Sequence, residues 1–355
     1  MIRSVIYVGI CASVLLPWGT GSAGPAAQED KSRILVNVVL VQLNVAVMDR
    51  KGNYVTGLRP ENFEITEDNI PEKISSFEEG GALQAGALTP PAALAGETAS
   101  EIRQTDPYEE GMLPLASRLA GANVFVLFDT SDYMYRGFVY AQDAIAGFVR
   151  SMQSADKIAF YSYSRDLSRA TALTADRSAV LNGVRSTVVG DNAALYDCLL
   201  LTVRDASQLR GRKAIVVFSN GPDDSSTIPP EDVEELAQST GTIIYIISTR
   251  AANDDPMSTA VFKRMSNATG GQAYFAKDWR GEKEAFGSIR SDLAHLYTIT
   301  YYPKVNKNRG WRRITVKLVG KEFAKDRIRT RDGYRVQQAE AVPGPFTQRR
   351  AGASN

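Results

Sequence analysis

Histidine and cysteine are the scarce residues in this chain of 355: one His and two Cys, beside three Trp. With His295 as the only imidazole, a multi-histidine metal centre is excluded, and any Ser-His or Cys-His mechanism would have to use it. His295 lies in Leu293-Ala-His-Leu-Tyr297, apolar on both sides, which fits a packed structural role better than catalysis. Cys11 falls inside an N-terminal apolar run and Cys198 inside the apolar stretch Leu195 to Val203. If the first segment is removed, Cys198 is left without an intramolecular partner, and a buried inert thiol is its default role. A charge excess is also missing. Lys plus Arg number 41 against 40 Asp plus Glu, a net +1, which gives no electrostatic case for nucleic acid or an anionic membrane surface. The longest apolar run, Val5 to Leu16, falls short of the ~20 residues a membrane-spanning helix needs, so no transmembrane anchor is expected. Paired-cysteine metal spacing, a phosphate loop and a nucleophile elbow are absent. Gly19-Thr-Gly-Ser-Ala-Gly24 fits a dinucleotide-loop pattern but opens no βαβ unit.

What is present is an ordinary globular composition, 44% hydrophobic and 23% charged, long enough for about two domains. Met1-Ile-Arg3, the apolar run and the small residues before Ala23 read as a signal peptide over 1–23, which predicts export to a periplasm or the outside. Residues 33–80 form an N-terminal β segment. It contains Ile34 to Met48, a single helical turn at Leu58 to Phe63, and two alternating stretches joined through Asp68-Asn-Ile-Pro71. Residues 81–120, rich in Ala, Gly and Pro, read as a linker. From 121 to 280 strands and helices alternate. The strands are Val124–Phe128, Lys157–Tyr163, Lys213–Ser219, Thr242–Ser248 and a short one at Gln272–Phe275, with an edge strand at Ser168–Leu173. Helical stretches intervene at Gly137–Met152, Arg177–Arg185, Ala194–Gln208, Pro230–Ser239 and Met257–Asn267. This predicts an α/β fold with a doubly wound, mostly parallel sheet. Residues 281–336 hold a last helix from Lys283 to Leu296 and further strands at Tyr297–Tyr302 and Arg313–Val319, and Arg327–Arg335 suggests one more. They are expected to pair with 33–80, so that the α/β domain is inserted in a β-rich domain made by both chain ends. Residues 337–355 read as a tail.

The segment Asn123-Val-Phe-Val-Leu-Phe-Asp129-Thr-Ser131-Asp-Tyr133-Met is a buried-strand pattern ending in oxygen-bearing residues, where open α/β sheets bind ligands. Residues 121–280 resemble a von Willebrand factor type A domain. The whole chain resembles exported bacterial proteins related to that domain, through Gly57-Leu-Arg-Pro-Glu-Asn-Phe63 before it and Tyr301-Tyr302-Pro303 after it. The resemblance implies a metal-ion-dependent adhesion site built from Asp-x-Ser-x-Ser, a Thr and an Asp, on which hard oxygen ligands hold Mg²⁺. Here Asp129 and Ser131 keep the first two positions, Tyr133 replaces the second Ser, Ala193 replaces the Thr, and Asn220 replaces the Asp. The site is therefore degenerate, and no cofactor is expected at it. Asp132, Asp191, Asp223 and Asp224 lie in the same loops as possible substitute ligands for Mg²⁺ or Ca²⁺, or as ordinary turn and cap residues. Tyr133 and Tyr135 are candidate partner-binding aromatics. These readings predict an exported, non-enzymatic protein-binding module, used in adhesion or assembly, with no catalytic residues, no nucleic acid and no small-molecule substrate. The alternatives are a metal-dependent adhesion module with a rearranged site, and a hydrolase acting through the acidic loops.

Overall fold

The computed structural model describes residues 40–80, 82–83, 121–153, 156–249 and 254–336. The expected signal peptide, nearly all of the expected linker and the expected tail lie outside these. Strands β1 (Val41–Met48), β2 (Phe63–Glu67), β3 (Ile70–Glu72), β4 (Ile74–Glu79) and β5 (Ala82–Leu83) precede the α/β part. That part runs β6 (Asn123–Asp129), α1 (Phe138–Ser151), β7 (Lys157–Tyr163), β8 (Leu167–Thr174), α2 (Arg177–Arg185), α3 (Leu195–Ser207), β9 (Lys213–Phe218), α4 (Pro230–Thr240), β10 (Thr242–Ser248), α5 (Pro256–Ala268), β11 (Ala273–Phe275) and α6 (Trp279–His295). Strands β12 (Tyr297–Tyr301), β13 (Trp311–Leu318), β14 (Arg327–Arg329) and β15 (Gly333–Arg335) follow.

The central sheet has the order β11-β10-β9-β6-β7-β8. All neighbours are parallel except β8, which runs antiparallel to β7 at one edge. Strands β6, β9 and β10 are almost entirely buried, because helices cover both faces and each apolar run loses water on two sides. Val124, Val126 and Phe128 point to one face, under α1, α2 and α6. Phe125 and Leu127 point to the other, under α3, α4 and α5. After β6 the chain winds first toward β7 and then, from β9, the opposite way, so the order reverses between β6 and β9. A crevice at such a reversal, beyond the carboxyl ends, is where this architecture places ligands.

Both chain ends build the second, β-rich part, as the sequence predicts. β1 pairs antiparallel with β12, Val41 opposite Tyr301, and β12 pairs with β4. β2 pairs with β13, Phe63 opposite Leu318. The sheets β14-β1-β12-β4-β5 and β15-β13-β2-β3 share one core around Leu43, Val45, Phe63, Ile65, Phe77 and Ile299. Asp68 and Asn69 close the β2–β3 hairpin with positive φ of 49° and 67°, the mirror-image turn that matches strand twist and suits these two residue types. Three expectations change in detail. The stretch after Pro71 divides at Lys73 between the two sheets, and 327–335 forms two short strands, one in each sheet. Ala82–Leu83, near the start of the expected linker, pairs antiparallel with β4 as the edge strand β5.

Candidate functional site

Asp129 is the last residue of β6 and is completely buried. Its Oδ1 accepts the Ser131 N–H at 2.9 Å and its Oδ2 accepts the Ser219 hydroxyl at 2.7 Å. Ser219 in turn accepts from the Tyr163 hydroxyl at 3.1 Å. A buried hydrogen-bonded row thus joins the ends of β7, β9 and β6. Burial pushes the Asp129 carboxyl pKa up, against the Ser131 and Ser219 donors that favour its charged form. Burial and the neighbouring Asp129 push the Tyr163 phenol far above its ordinary value.

Around this row three loops are tied by their backbones. Gly190 N–H donates to Thr130 O at 2.7 Å, and Asp132 N–H donates to Asp191 O at 2.8 Å. Gly190 has to be glycine for this approach, since a Cβ there would lie 2.3 Å from Ser164 Oγ. Asn220, on the third loop, uses its amide nitrogen, donating to Tyr133 O at 2.7 Å, while its Oδ1 is buried without a hydrogen-bond partner. Tyr133 donates its hydroxyl to Asp224 at 3.3 Å. Asp224 also accepts the Ala193 N–H and the Ser225 hydroxyl, each at 2.9 Å, which holds its pKa below the ordinary carboxylate value. Asp223 faces the first turn of α3, accepting the Tyr196 N–H at 3.1 Å and the Ser226 hydroxyl at 2.6 Å. It satisfies a helix-start donor. Asp132 and Asp191 are exposed. Tyr133 is 38% and Tyr135 71% exposed, on the six-residue 3-10 turn that leads into α1.

Residues 124–222 match the von Willebrand factor type A domain. No curated protein matches the chain. Similar solved structures include an aerotolerance-related membrane protein from Bacteroides fragilis, 18% identical, covering 49% of this chain and 98% of that one with a TM-score of 0.41. A von Willebrand factor type A structure from Catenulispora acidiphila is 12% identical over 60% of this chain and 67% of that one, TM-score 0.41. The corresponding domain of a type V pili tip protein from Porphyromonas gingivalis is 12% identical over 49% and 95%, TM-score 0.40.

The donor set at the crest of this type A domain fits a divalent cation poorly. Asp129 is the one carboxylate at the five expected positions, and both its oxygens already accept protein donors. Ala193 is buried and brings no side-chain oxygen, and the Tyr133 hydroxyl is directed to Asp224. Ser131 Oγ and Asn220 Oδ1 remain as buried oxygens without hydrogen-bond partners. Two neutral oxygens beside one engaged carboxylate fall well short of the hard, charged octahedron that Mg²⁺ takes. Among the described residues, no three His, Cys, Asp or Glu side chains are grouped to hold an ion.

Outside the crest, His295 stacks on Tyr54, ring centroids 4.9 Å apart, with Nδ1 2.6 Å from Ser291 O. Cys198 is buried, and burial pushes its thiol up to about 12, so it is a packing residue. Sequence reasoning missed Ser219 and Tyr163. Their only signal is position, at the carboxyl ends of two strands beside β6.

Proposed function

We propose that the chain is an exported, non-enzymatic protein-binding module that engages its partner through the crest of the type A domain, with Tyr133 and Tyr135 in place of a metal-centred contact. The observation that carries this reading is the Tyr133 loop. Asn220 fixes its backbone, Asp224 takes the Tyr133 hydroxyl, and two tyrosine rings remain exposed. Aromatic area held in one conformation before binding costs little entropy when buried, which is the usual make-up of an interface anchor. The crest lacks an imidazole and a paired acid–base geometry, which argues against a hydrolase acting through the acidic loops.

The test is capture of envelope proteins by the immobilised chain, compared with the variant Tyr133→Ser/Tyr135→Ser. Loss of capture with unchanged circular dichroism and melting is the expected result. Undiminished capture by the double variant would overturn the reading. A second reading is favoured by the unpartnered Ser131 Oγ and Asn220 Oδ1: a rearranged, weak cation site that modulates the same surface. Calorimetric titration with Mg²⁺, Mn²⁺ and Ca²⁺ decides between the two. Micromolar heat lost in Asp129→Ala supports the cation, and no heat leaves the metal-free reading.

A further inference from the structure

Asparagine followed by glycine occurs twice in the chain, at Asn182-Gly183 and at Asn220-Gly221. With no Cβ on the second residue, its backbone nitrogen is free to close on the asparagine side chain and attack it. We infer that the crest pair, and not the other, is a modification site: Asn220 loses its side-chain amide to attack by Gly221 N, and the carboxylate that results releases the Tyr133 loop. The effect on binding rests on the protein-binding reading, whereas the conversion itself does not.

The two pairs have opposite surroundings. Asn182 and Gly183 lie inside α2, where the Gly183 N–H belongs to the helical ladder and the regular backbone leaves no room to close a ring. Asn220 is half-buried on the loop after β9, outside any helix or strand, and Gly221 has a φ of 119°. The Gly221 N–H donates to Ser219 Oγ at 3.2 Å, and Ser219 Oγ donates to Asp129 Oδ2 at 2.7 Å. A backbone amide is a poor nucleophile until its proton leaves, and this row carries the proton to a carboxylate. Burial raises the Asp129 pKa, which makes it a stronger base than an exposed aspartate. The Asn220 amide is held by its nitrogen alone, donating to Tyr133 O at 2.7 Å, since Oδ1 has no hydrogen-bond partner.

The step balances without an oxidant or a reductant. The bond from Gly221 N to Asn220 Cγ forms as the amide proton passes through Ser219 to Asp129. The bond from Cγ to Nδ2 breaks, the proton is handed back through Ser219 to the departing nitrogen, and ammonia leaves. The cyclic imide then takes up one water and opens to an aspartate at position 220 or to its β-linked isomer. A carboxylate only accepts, so it cannot donate to Tyr133 O, and two oxygens would face each other across the present contact. The β-linked isomer also lengthens the backbone before Gly221, which is closely packed: a Cβ there would lie 3.1 Å from Ser258 Cβ.

The purified full chain is held at mildly alkaline pH and sampled over days, folded and in guanidinium chloride. The peptides containing Asn220 and Asn182 are followed by mass spectrometry. In denaturant both should convert at similar rates. In the folded chain Asn220 should convert at least as fast as in denaturant, with Asn182 protected. Ser219→Ala should slow the folded-state conversion by about tenfold or more, the scale of a lost general base, and leave the denatured rate unchanged. Protection of folded Asn220 equal to that of Asn182 overturns the site, whether or not the serine variant folds. An unchanged rate in folded Ser219→Ala overturns the proton path. Asn220→Asp should lose partner capture as Tyr133→Ser/Tyr135→Ser does, and undiminished capture by Asn220→Asp overturns the release of the loop. If the tyrosine variant itself captures normally, the protein-binding reading falls, while conversion at Asn220, read by mass alone, still stands or falls on its own.

Discussion

The two ends of the central sheet handle polar groups in opposite ways. At the carboxyl ends, polar side chains hold loops to one another and leave Tyr133, Tyr135, Asp132 and Asp191 facing water. At the amino ends, buried and half-buried arginines fasten the β-rich part in place. Arg331 donates to Gln238 O and, at 3.0 Å, to Gln42 O of β1. Arg329 bonds Gly270 O at 2.9 Å and pairs with Asp292 at 2.5 Å, where the Tyr245 hydroxyl also donates. Within the α/β part itself, Arg212 before β9 donates to Leu293 O of α6 at 2.5 Å. A buried charge is tolerated only when it is paired or hydrogen-bonded, so these arginines are committed to architecture. One end is a clamp and the other a face. Mutations should therefore separate stability from binding according to the end they touch.

The largest expected effect is at the clamp. Asp292→Ala leaves the Arg329 guanidinium without its carboxylate, holding Gly270 O alone, and the Tyr245 hydroxyl buried without its acceptor. It should cost about 3–5 kcal/mol in urea unfolding while folded protein keeps its partner capture. A loss under about 1 kcal/mol would show that the clamp is not structural. Next is Lys213, at the start of β9. Burial first, and Arg331 second, lower its pKa from 10.5 to about 8. Because the unfolded chain holds this proton more tightly, stability should rise with pH between about 8 and about 10.5, and the charged form is penalised below that window. Lys213→Met should stabilise the protein at pH 7 by on the order of 1–3 kcal/mol, a gain that fades by pH 10.5. Melting curves at both pH values check the sign. At the crest, Asn220→Ala removes the Tyr133 loop contact and should cost about 1 kcal/mol, with a larger proportional loss of capture than of stability. Tyr135→Ser, the smallest, should shift stability by under about 0.5 kcal/mol and act on capture alone. If it destabilised as Asp292→Ala does, the division between the two ends would fail.

Much of the architecture was legible in the sequence because it rests on periodicity. Val124 to Phe128 and Thr242 to Ser248 are apolar on both faces, and the alternating strands at either end had no other partners. The crest was legible as a set of loops, since Asp129 and Ser131 stand directly after an unmistakable strand. Side-chain direction inside those loops was not. Asp223 and Asp224 are adjacent in sequence, yet one turns to the first turn of α3 and the other to Tyr133. Asn220 presents its nitrogen to the neighbouring loop. Such choices depend on which backbone groups lack partners nearby, a tertiary property that no local pattern encodes. The clamp arginines were equally opaque, because Arg329 and Arg331 sit in a short polar stretch with nothing to mark them as buried.

Pairing β1 with β12 also sets an order of events. Tyr297 donates to Val55 O across 242 residues, and Tyr334 to Glu67 across 267. Contacts so distant along the chain form late, after local elements have collapsed. The strand pairings of the inserted α/β part lie within that stretch of chain, whereas the β-rich part has to wait for the last strands. Until then β1, β2 and β4 carry open edges prone to pairing with other chains. A chain cut before Tyr297 would lose Arg329 and Arg331 together with the closing strands and leave an unfinished, aggregation-prone base, so closure of the β-rich part acts as a check that synthesis reached the far strands.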